Sequence, residues 1–218
     1  MIADSYQHQG MRKALVKELI QKGIKDKRVL DAISYIPRHV FFDPAFLNHA
    51  YKDKAFPIGD GQTISQPYTV AVQSSLLDIT PGEKVLEVGT GSGYQCAILA
   101  YIGAKVFSIE RHKSLHQRAQ KTLNSLNIKA KLFCGDGSRG LPSFAPFDKI
   151  IVTAGAPTIP EELIQQTSIG GKIIIPVGDE KGQNMIMLVK KSEHQIEKID
   201  YGKFSFVPLI RNNGWNTK

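Results

Sequence analysis

The stretch that decides the fold of this chain runs Val85-Leu86-Glu87-Val88-Gly89-Thr90-Gly91-Ser92-Gly93-Tyr94. Its first half is an apolar run that predicts a buried strand, and a helical pattern follows the last glycine. Glycines at such a junction let the backbone turn tightly and approach a ligand, while the amino end of the next helix faces that ligand. We therefore predict a strand, a ligand-binding turn and a helix here, although one glycine turn does not define the ligand.

The spacing of these glycines separates two classes of cofactor. Dinucleotide-binding turns follow G-x-G-x-x-G/A, and the third small residue would then fall on position 94, which is a tyrosine. That residue disfavours a nicotinamide oxidoreductase. The glycines instead follow G-x-G-x-G, with an acidic residue two positions before the first of them, and this pattern resembles motif I of the Rossmann-like methyltransferases. The resemblance implies that S-adenosyl-L-methionine binds at Glu87, Gly89, Thr90, Gly91 and Gly93.

Two acidic residues at the ends of later strand patterns favour a ligand that contains adenosine. Glu110 lies about twenty residues after the turn, where a carboxylate can accept both ribose hydroxyl protons. Asp136 lies between Gly135 and Gly137, where a carboxylate can accept a hydrogen bond from an adenine amino group. We assign Glu110, Asp136 and Gly137 to the cofactor site. The structural alternatives are a surface glutamate and a plain Gly-Asp-Gly turn.

From about residue 66 onward, apolar strand patterns alternate with helical ones. This alternation predicts an α/β fold with a Rossmann-like, doubly wound, mostly parallel sheet that has helices on both faces. The predicted strands are Val85–Val88, Val106–Ile109, Lys131–Cys134, Lys149–Val152 and Lys172–Val177, and the predicted helices are Thr69–Leu77, 93–102, 112–126 and 160–168. Three later strand patterns lack intervening helices, so we expect antiparallel pairing among them: Met185–Val189, Ile196–Tyr201 and Lys203–Pro208.

The first part of the chain differs from this regular core. We predict one methyltransferase domain over residues 1–218, in which residues 1–65 form a helical and irregular extension packed on the Rossmann-like core of residues 66–218. Apolar spacing predicts helices over Met11–Gly23 and Arg28–Ile36, the second with Asp26 as its N-cap. Residues 51–64 have no clear period and predict a loop that can include a short strand. The extension could cap a cofactor or only complete the core.

Composition limits the classes of protein that this chain can belong to. With 42% hydrophobic and 22% charged residues it can bury a full core. We find no apolar run of membrane-spanning length, no secretory signal pattern and only two cysteines, so we expect a cytoplasmic protein without a membrane partner. Both cysteines, Cys96 and Cys134, are expected to be buried thiols. The net charge of +8 is spread along the chain, so we interpret it as a solvated surface and expect no nucleic acid.

A segment before the glycine turn narrows the class further. Gly61-Gln62-Thr63-Ile64-Ser65-Gln66-Pro67 and Phe206-Val207-Pro208-Leu209 are typical of one family, and the motifs between them occur in methyltransferases more widely. Those shared motifs are residues 86–94, 109–111, 135–137, 146–154, 170–172 and 176–178. Over nearly its whole length the chain resembles the protein-L-isoaspartate O-methyltransferase family. The resemblance implies methyl transfer to the free carboxylate of L-isoaspartyl residues in damaged proteins and peptides, which starts their repair through a succinimide.

This reaction fits the lack of a catalytic triad in these motifs. A carboxylate is already ionised at neutral pH and needs no general base, so the enzyme must only hold one oxygen in line with the sulfonium methyl group and exclude water. No metal is expected, and none of the six histidines falls within the motifs.

The resemblance implies that Ser65 is the active-site residue, which orients the substrate carboxylate together with free N–H groups at the start of the predicted helix. Serine is also a favoured N-cap, so capping is the structural alternative, and one residue could do both. Thr63 and Gln66 are the expected neighbours of Ser65 in the substrate cleft. The family further implies that the peptide passes the loop Thr153-Ala154-Gly155-Ala156-Pro157 and the segment Phe206-Val207-Pro208-Leu209, with Ala154 and Val207 as the expected contacts. An ordinary strand with Pro208 at a sheet edge also explains the second segment.

Two alternative functions also agree with parts of the sequence: methylation of a different acceptor, and binding without catalysis. The same fold could methylate RNA or a small molecule, which the basic charge would suit. Against an amino-group methylase, the position after the fourth strand holds Ile151-Val152-Thr153-Ala154 and no Asn-Pro-Pro-Tyr-like motif. A non-catalytic binding protein is disfavoured because it would not need Ser65 in addition to the glycines and the two acidic residues.

Overall fold

A computed structural model describes residues 4–179 and 181–209, and all structural statements below refer to them. Residues 1–3, 180 and 210–218 of the predicted single domain lie outside this described part, and the domain division remains a prediction. The α-helices are α1 Tyr6–Gln21, α2 Lys27–Tyr35, α3 Pro67–Leu77, α4 Tyr94–Ile102, α5 Lys113–Ser125 and α6 Glu161–Gln165. The strands are β1 Phe56–Gly59, β2 Gln62–Ile64, β3 Lys84–Val88, β4 Lys105–Glu110, β5 Lys131–Cys134, β6 Phe147–Val152, β7 Thr167–Asp179, β8 Gly182–Lys190 and β9 Ile196–Phe204.

The main sheet has seven strands in the order β5-β4-β3-β6-β7-β8-β9. The strands from β5 to β7 run parallel, and β8 and β9 add antiparallel pairs. The chain runs outward from β3 to β5 and then returns to β6 on the other side of β3, so the strand order reverses at β3. This topology confirms the predicted α/β fold with its antiparallel end. Ligands of such sheets bind at the carboxyl ends of the strands beside the reversal.

Helices cover both faces of this sheet. The central strand β3 is buried along most of its length, as expected for a parallel strand between two layers. Leu15 and Leu19 of α1 and Ile33 of α2 belong to one apolar cluster with Val70 of α3 and Leu99 of α4. The extension therefore packs on the helices of one face. Asp26 caps α2 as predicted, since its carboxylate accepts hydrogen bonds from the N–H groups of Arg28 and Val29.

Residues 51–64 are more ordered than the sequence analysis predicted. They contain the antiparallel hairpin of β1 and β2, in which Phe56 pairs with Ile64. The turn residues Asp60 and Gly61 have φ values of 51° and 68°, as a type I′ turn requires. The sequence analysis allowed a short strand here, whereas the segment forms two that pair. Strands this short show no clear period, although the Asp-Gly pair is itself a hairpin signal.

Three further predictions need correction. Helix α6 ends at Gln165 rather than residue 168, because Thr167 already begins the long strand β7. The last predicted strand, Lys203–Pro208, is not separate: β9 continues to Phe204, and Pro208 makes only an isolated bridge with Gly155. Cys96 is buried as expected, but Cys134 is exposed because it ends the short edge strand β5.

Among the described residues, no helix combines the length and the apolar character that a membrane-spanning helix needs.

Candidate active site

A cleft lies over the carboxyl ends of β3, β4 and β6, beside the point where the strand order reverses. Five parts of the chain line it: the segment that enters α3, the glycine turn and the start of α4 after β3, the end of β4, the loop after β6, and the segment after β9. The lining residues are Gln62, Thr63, Ile64, Ser65, Val70, Gly89, Thr90, Gly91, Ser92, Tyr94, Gln95, Glu110, Thr153, Ala154 and Val207. We call residues 63–68 the acceptor loop. The fold thus brings the acceptor loop next to the glycine turn, although residues 69–88 separate them in the chain.

The glycine turn adopts a backbone that other residues would adopt only with strain. Gly89, Gly91 and Gly93 have φ values of 99°, 54° and 89°. A Cβ atom on Gly89 would lie 2.5 Å from the Thr153 hydroxyl oxygen. That hydroxyl donates to the carbonyl oxygen of Gly89 at 2.6 Å, so the loop after β6 holds the turn in place. The result is a cradle of backbone that a ligand can approach closely.

Glu110 organises the same turn from the end of β4. One of its carboxylate oxygens accepts a hydrogen bond from the Gly91 N–H and the other from the His112 N–H, each at 2.8 Å. The side chain is nearly buried and lines the cleft. A carboxylate in this position offers its remaining lone pairs to hydroxyl groups, as the ribose assignment requires.

Glu87 lies behind the cleft and does not line its wall. It is fully buried, and its carboxyl oxygen lies 2.5 Å from the Ser108 hydroxyl, which in turn lies 2.5 Å from the Thr90 hydroxyl. Burial raises the pKa of Glu87 to about 8, and the nearby Glu110 carboxylate adds to this effect. Glu87 therefore reaches the cleft only through Ser108 and Thr90, and any contribution to cofactor binding would act on the shape of the turn.

The protonation of Glu87 can be tested through stability. The folded state retains a proton that the unfolded chain releases above the ordinary pKa of 4.5, so this contribution to stability is complete below pH 4.5 and is lost as the pH rises through about 8. Glu87→Gln removes the titration. In this interval the free energy of unfolding of wild type should fall with pH relative to that of the variant. We expect the difference, variant minus wild type, to rise by up to about 1 kcal/mol per pH unit. Urea unfolding between these pH values measures it, and a constant difference would contradict the assignment.

Asp136 lies two residues after the end of β5, and it lines neither the cleft nor the recess at Gly137. Its Oδ1 accepts hydrogen bonds from the Ser138 N–H at 3.0 Å and the Ser138 hydroxyl at 2.8 Å, so it caps the short 3₁₀ turn that follows. Its Oδ2 lies 4.0 Å from the Arg111 guanidinium. Gly137 lines a recess next to the cleft together with Glu110 and Arg111. The sequence analysis gave a plain turn as the alternative to an adenine contact. In the structure Asp136 caps a turn, and the adenine contact remains a prediction.

Ser65 lines both the main cleft and a second recess beside it. The cap of α3 is Gln66, not Ser65, so the capping alternative for this serine was wrong. Nor does the amino end of α3 offer all of its N–H groups to a substrate, because the Tyr68 N–H donates to the Asp53 carboxylate at 2.7 Å. Within residues 4–179 and 181–209, no group hydrogen-bonds the Ser65 hydroxyl.

The recess beside Ser65 is polar but carries no formal charge. Its lining residues are Ala55, Thr63, Ser65, Gln66, Thr69, Thr153, Ser205, Phe206 and Val207. Hydroxyl and amide groups can donate hydrogen bonds to an anion, whereas a carboxylate in this wall would repel one. The recess therefore suits an anionic group placed next to Ser65.

The loop after β6 connects the two halves of the site. The Gly155 N–H donates to the Val207 carbonyl at 2.8 Å, and the Leu209 N–H donates to the Gly155 carbonyl at 2.7 Å. These bonds place Ala154 and Val207 in the cleft wall. Thr153 belongs to the loop expected beside the peptide, but its contact with the glycine turn and with both cavities was not predicted. Its position directly after a parallel strand was the available signal, because the carboxyl ends of such strands meet at one edge.

The fold and this site define a class of protein. A doubly wound sheet, a G-x-G-x-G turn with positive φ at each glycine, and an acidic residue at the end of the next strand together define the Rossmann-like, S-adenosyl-L-methionine-dependent methyltransferases.

Comparison with known proteins identifies the family. The family model for protein-L-isoaspartate(D-aspartate) O-methyltransferase matches residues 10–214, and the chain belongs to this family. A protein-L-isoaspartate O-methyltransferase of Cytophaga hutchinsonii is 58% identical over 215 residues, which cover 99% of this chain and 97% of that protein. The enzyme of the same name from Flavobacterium psychrophilum is 55% identical over 210 residues, covering 96% of this chain and 98% of the relative.

Solved structures agree with this assignment. The structure of a protein-L-isoaspartate O-methyltransferase superposes with a TM-score of 0.84 at 28% identity. The match covers 93% of this chain and 67% of the chain of that protein. A Plasmodium falciparum protein crystallised with S-adenosyl-L-homocysteine superposes with a TM-score of 0.82 at 26% identity, over 92% of this chain and 99% of its own. The family resemblance inferred from the sequence motifs is confirmed.

Proposed function

We infer that this chain transfers a methyl group from S-adenosyl-L-methionine to the free carboxylate of L-isoaspartyl residues in damaged proteins and peptides. The observation that carries the proposal is the shared cleft. Ser65 and Thr63, from the segment that distinguishes the family, line the same cavity as the glycine turn and Glu110. The cleft therefore brings a candidate acceptor site next to a candidate cofactor site.

The residues present fit the cofactor. The backbone cradle at Gly89 and Gly91 can receive the amino-acid part of the ligand, and we assign the ribose hydroxyls to Glu110 and the adenine amino group to Asp136. When bound, S-adenosyl-L-methionine supplies an electrophilic methyl group on a sulfonium. No base is required in the chain, because the acceptor carboxylate is ionised at neutral pH.

On the acceptor side, we assign to Ser65 the orientation of the substrate carboxylate. Its hydroxyl can donate one hydrogen bond to one carboxylate oxygen, which leaves the other oxygen to form the new C–O bond as the C–S bond of the sulfonium breaks. Thr63, Gln66, Ala154 and Val207 form the proposed walls for the peptide. Methylation gives the acyl carbon a methoxy leaving group in place of an oxide. The neighbouring backbone amide nitrogen can then form a bond to that carbon as the C–O bond to the methoxy group breaks, which gives a succinimide and methanol.

We propose a cytoplasmic enzyme that acts without metal or nucleic acid, and the two free thiols are consistent with a reducing compartment. Asp4, His8 and His39 do come within 4.8 Å of one another, but Arg12 donates to both oxygens of Asp4 at 3.1 and 2.9 Å. A positive guanidinium in that position opposes a cation.

The test is methyl transfer from labelled S-adenosyl-L-methionine to two peptides that differ only in an isoaspartyl or an aspartyl linkage. We expect label on the isoaspartyl peptide alone, as an ester that base releases as methanol. The aspartyl peptide is the matched control because it has the same composition and charge and differs only in which carboxyl group forms the peptide bond. Binding of the cofactor without label on either peptide would refute the acceptor, and RNA and small molecules would then be assayed as substrates.

A further inference from the structure

Arg38 is a charged residue in the middle of the N-terminal extension, and it is fully buried. Its Nε donates to the Ala50 carbonyl and its Nη2 to the Ser65 carbonyl, both at 2.9 Å. The guanidinium carbon also lies 4.6 Å from the ring centroid of Tyr94, the first residue of the helix after the glycine turn. One side chain of the extension thus contacts both the acceptor loop and the start of α4.

Asp53 is a second buried charge that contacts the acceptor loop. Its side chain is only 2% exposed. Its Oδ1 accepts the Tyr68 N–H at 2.7 Å, and its Oδ2 accepts the Gln66 side-chain amide at 3.0 Å. The Lys22 ammonium lies 2.6 Å from the same Oδ2 and balances the charge. The carboxylate therefore holds Gln66 and Tyr68, which lie on either side of Pro67 at the start of α3.

Burying two charges is unfavourable unless each is well paired, so their presence here needs an explanation. Both are directed at backbone and amide groups of residues 65–68, the segment that carries Ser65. The Ser65 side chain itself has no hydrogen bond within the described residues that would fix it. Its position is set by the backbone on either side.

We propose that Arg38 and Asp53 are positioning residues for methyl transfer: Arg38 holds the Ser65 carbonyl and Asp53 holds Gln66 and Tyr68, which keeps the acceptor loop at a set place relative to the glycine turn. The proposal rests on the function inferred above and gives the N-terminal extension a role in turnover. Neither residue lines the cleft, so neither is expected to contact the cofactor or the substrate.

The test compares Arg38→Lys and Asp53→Asn with wild type. Lysine retains the charge but lacks the planar fork that reaches two carbonyl groups at once. Asparagine retains the size but replaces one acceptor oxygen with a donor. Misplacing a reacting group by about 1 Å costs up to about 100-fold in rate, and a partial displacement is expected in both variants. We therefore expect kcat with the isoaspartyl peptide to fall about tenfold, while the Kd for S-adenosyl-L-homocysteine stays within about twofold of wild type.

Arg12→Lys is the matched control. Arg12 is also a nearly buried arginine of the extension, but it donates to Ser34, Asp4 and Tyr51 and to no residue of the acceptor loop. We expect its kcat to match wild type even if its thermal midpoint falls as far as that of Arg38→Lys. If Arg38→Lys fails to fold, Asp53→Asn decides the question.

Two results would overturn the proposal. One is wild-type kcat in a folded Asp53→Asn or Arg38→Lys variant. The other is a rise in the cofactor Kd as large as the fall in kcat, since that would indicate a general loss of structure. Failure of the proposed function is distinct from both, because the wild-type enzyme would then label no isoaspartyl peptide.

Discussion

Replacing Ser65 with alanine is expected to lower kcat for the isoaspartyl peptide by about 100-fold or more, with unchanged binding of S-adenosyl-L-homocysteine. Removing one well-placed donor from a reacting oxygen typically costs a factor of this size. Ser65 lines the cleft and the uncharged recess, and its hydroxyl has no hydrogen bond within the described residues that a substrate would need to displace. Single-turnover methyl transfer and calorimetry measure the two quantities.

Ser75→Ala is the control for this substitution. Ser75 lies on the same helix, α3, but lines neither the cleft nor the recess, so its loss should leave kcat unchanged. Ser65→Thr keeps a hydroxyl group and should retain part of the activity. Wild-type turnover by Ser65→Ala would remove this residue from the mechanism and leave orientation of the carboxylate to Thr63 and the backbone.

Replacing Glu110 with glutamine is expected to weaken binding of S-adenosyl-L-homocysteine by about 100-fold. Both carboxylate oxygens accept backbone N–H groups, from Gly91 and His112. An amide has one oxygen, so its NH₂ group would face one of these donors and the turn would shift. The charge-assisted bonds proposed for the ribose would weaken as well, and hydrogen bonds to charged groups are worth about 1.5–3 kcal/mol each. Calorimetric titration measures the change directly.

Glu83→Gln is the matched control for this loss of charge. Glu83 also accepts a backbone N–H, that of Thr80, but it lies at the amino end of β3, at the opposite edge of the sheet from the cleft. Its substitution should leave the Kd unchanged. Equal affinity of Glu110→Gln and wild type would refute both the ribose assignment and the role of Glu110 in shaping the turn.

Local sequence determined most of the fold. The apolar strand, the glycines at 89, 91 and 93 and the helix after them are dictated by short-range rules, because positive φ angles and side-chain periods are properties of neighbouring residues. The alternation of strands and helices then led to the parallel sheet, and the family motifs led to the reaction. The same rules placed Asp26 at the start of α2, where its carboxylate caps the helix.

Local rules failed where the segment was short or its partner was distant. The β1–β2 hairpin has strands of four and three residues, too short for a period to be recognised. The burial of Cys134 was predicted wrongly because the place of β5 at the sheet edge depends on the order of all strands. The alternative that Ser65 caps α3 was also wrong, because the Asp53 carboxylate accepts the hydrogen bond from the Tyr68 N–H at the start of this helix. The Ser65 hydroxyl is therefore left to face the cleft.

The arrangement of the active site was decided only by the tertiary structure. Arg38 meets the Ser65 carbonyl, Asp53 meets the Tyr68 N–H, and Gln73 donates to the Val152 carbonyl at 2.9 Å, although each pair is far apart in the chain. The sequence by itself determined which residues could bind a cofactor and which serine could face it. Which buried charges hold that serine depends on packing among helices and strands that no local pattern encodes, since such contacts form only when the whole core is assembled.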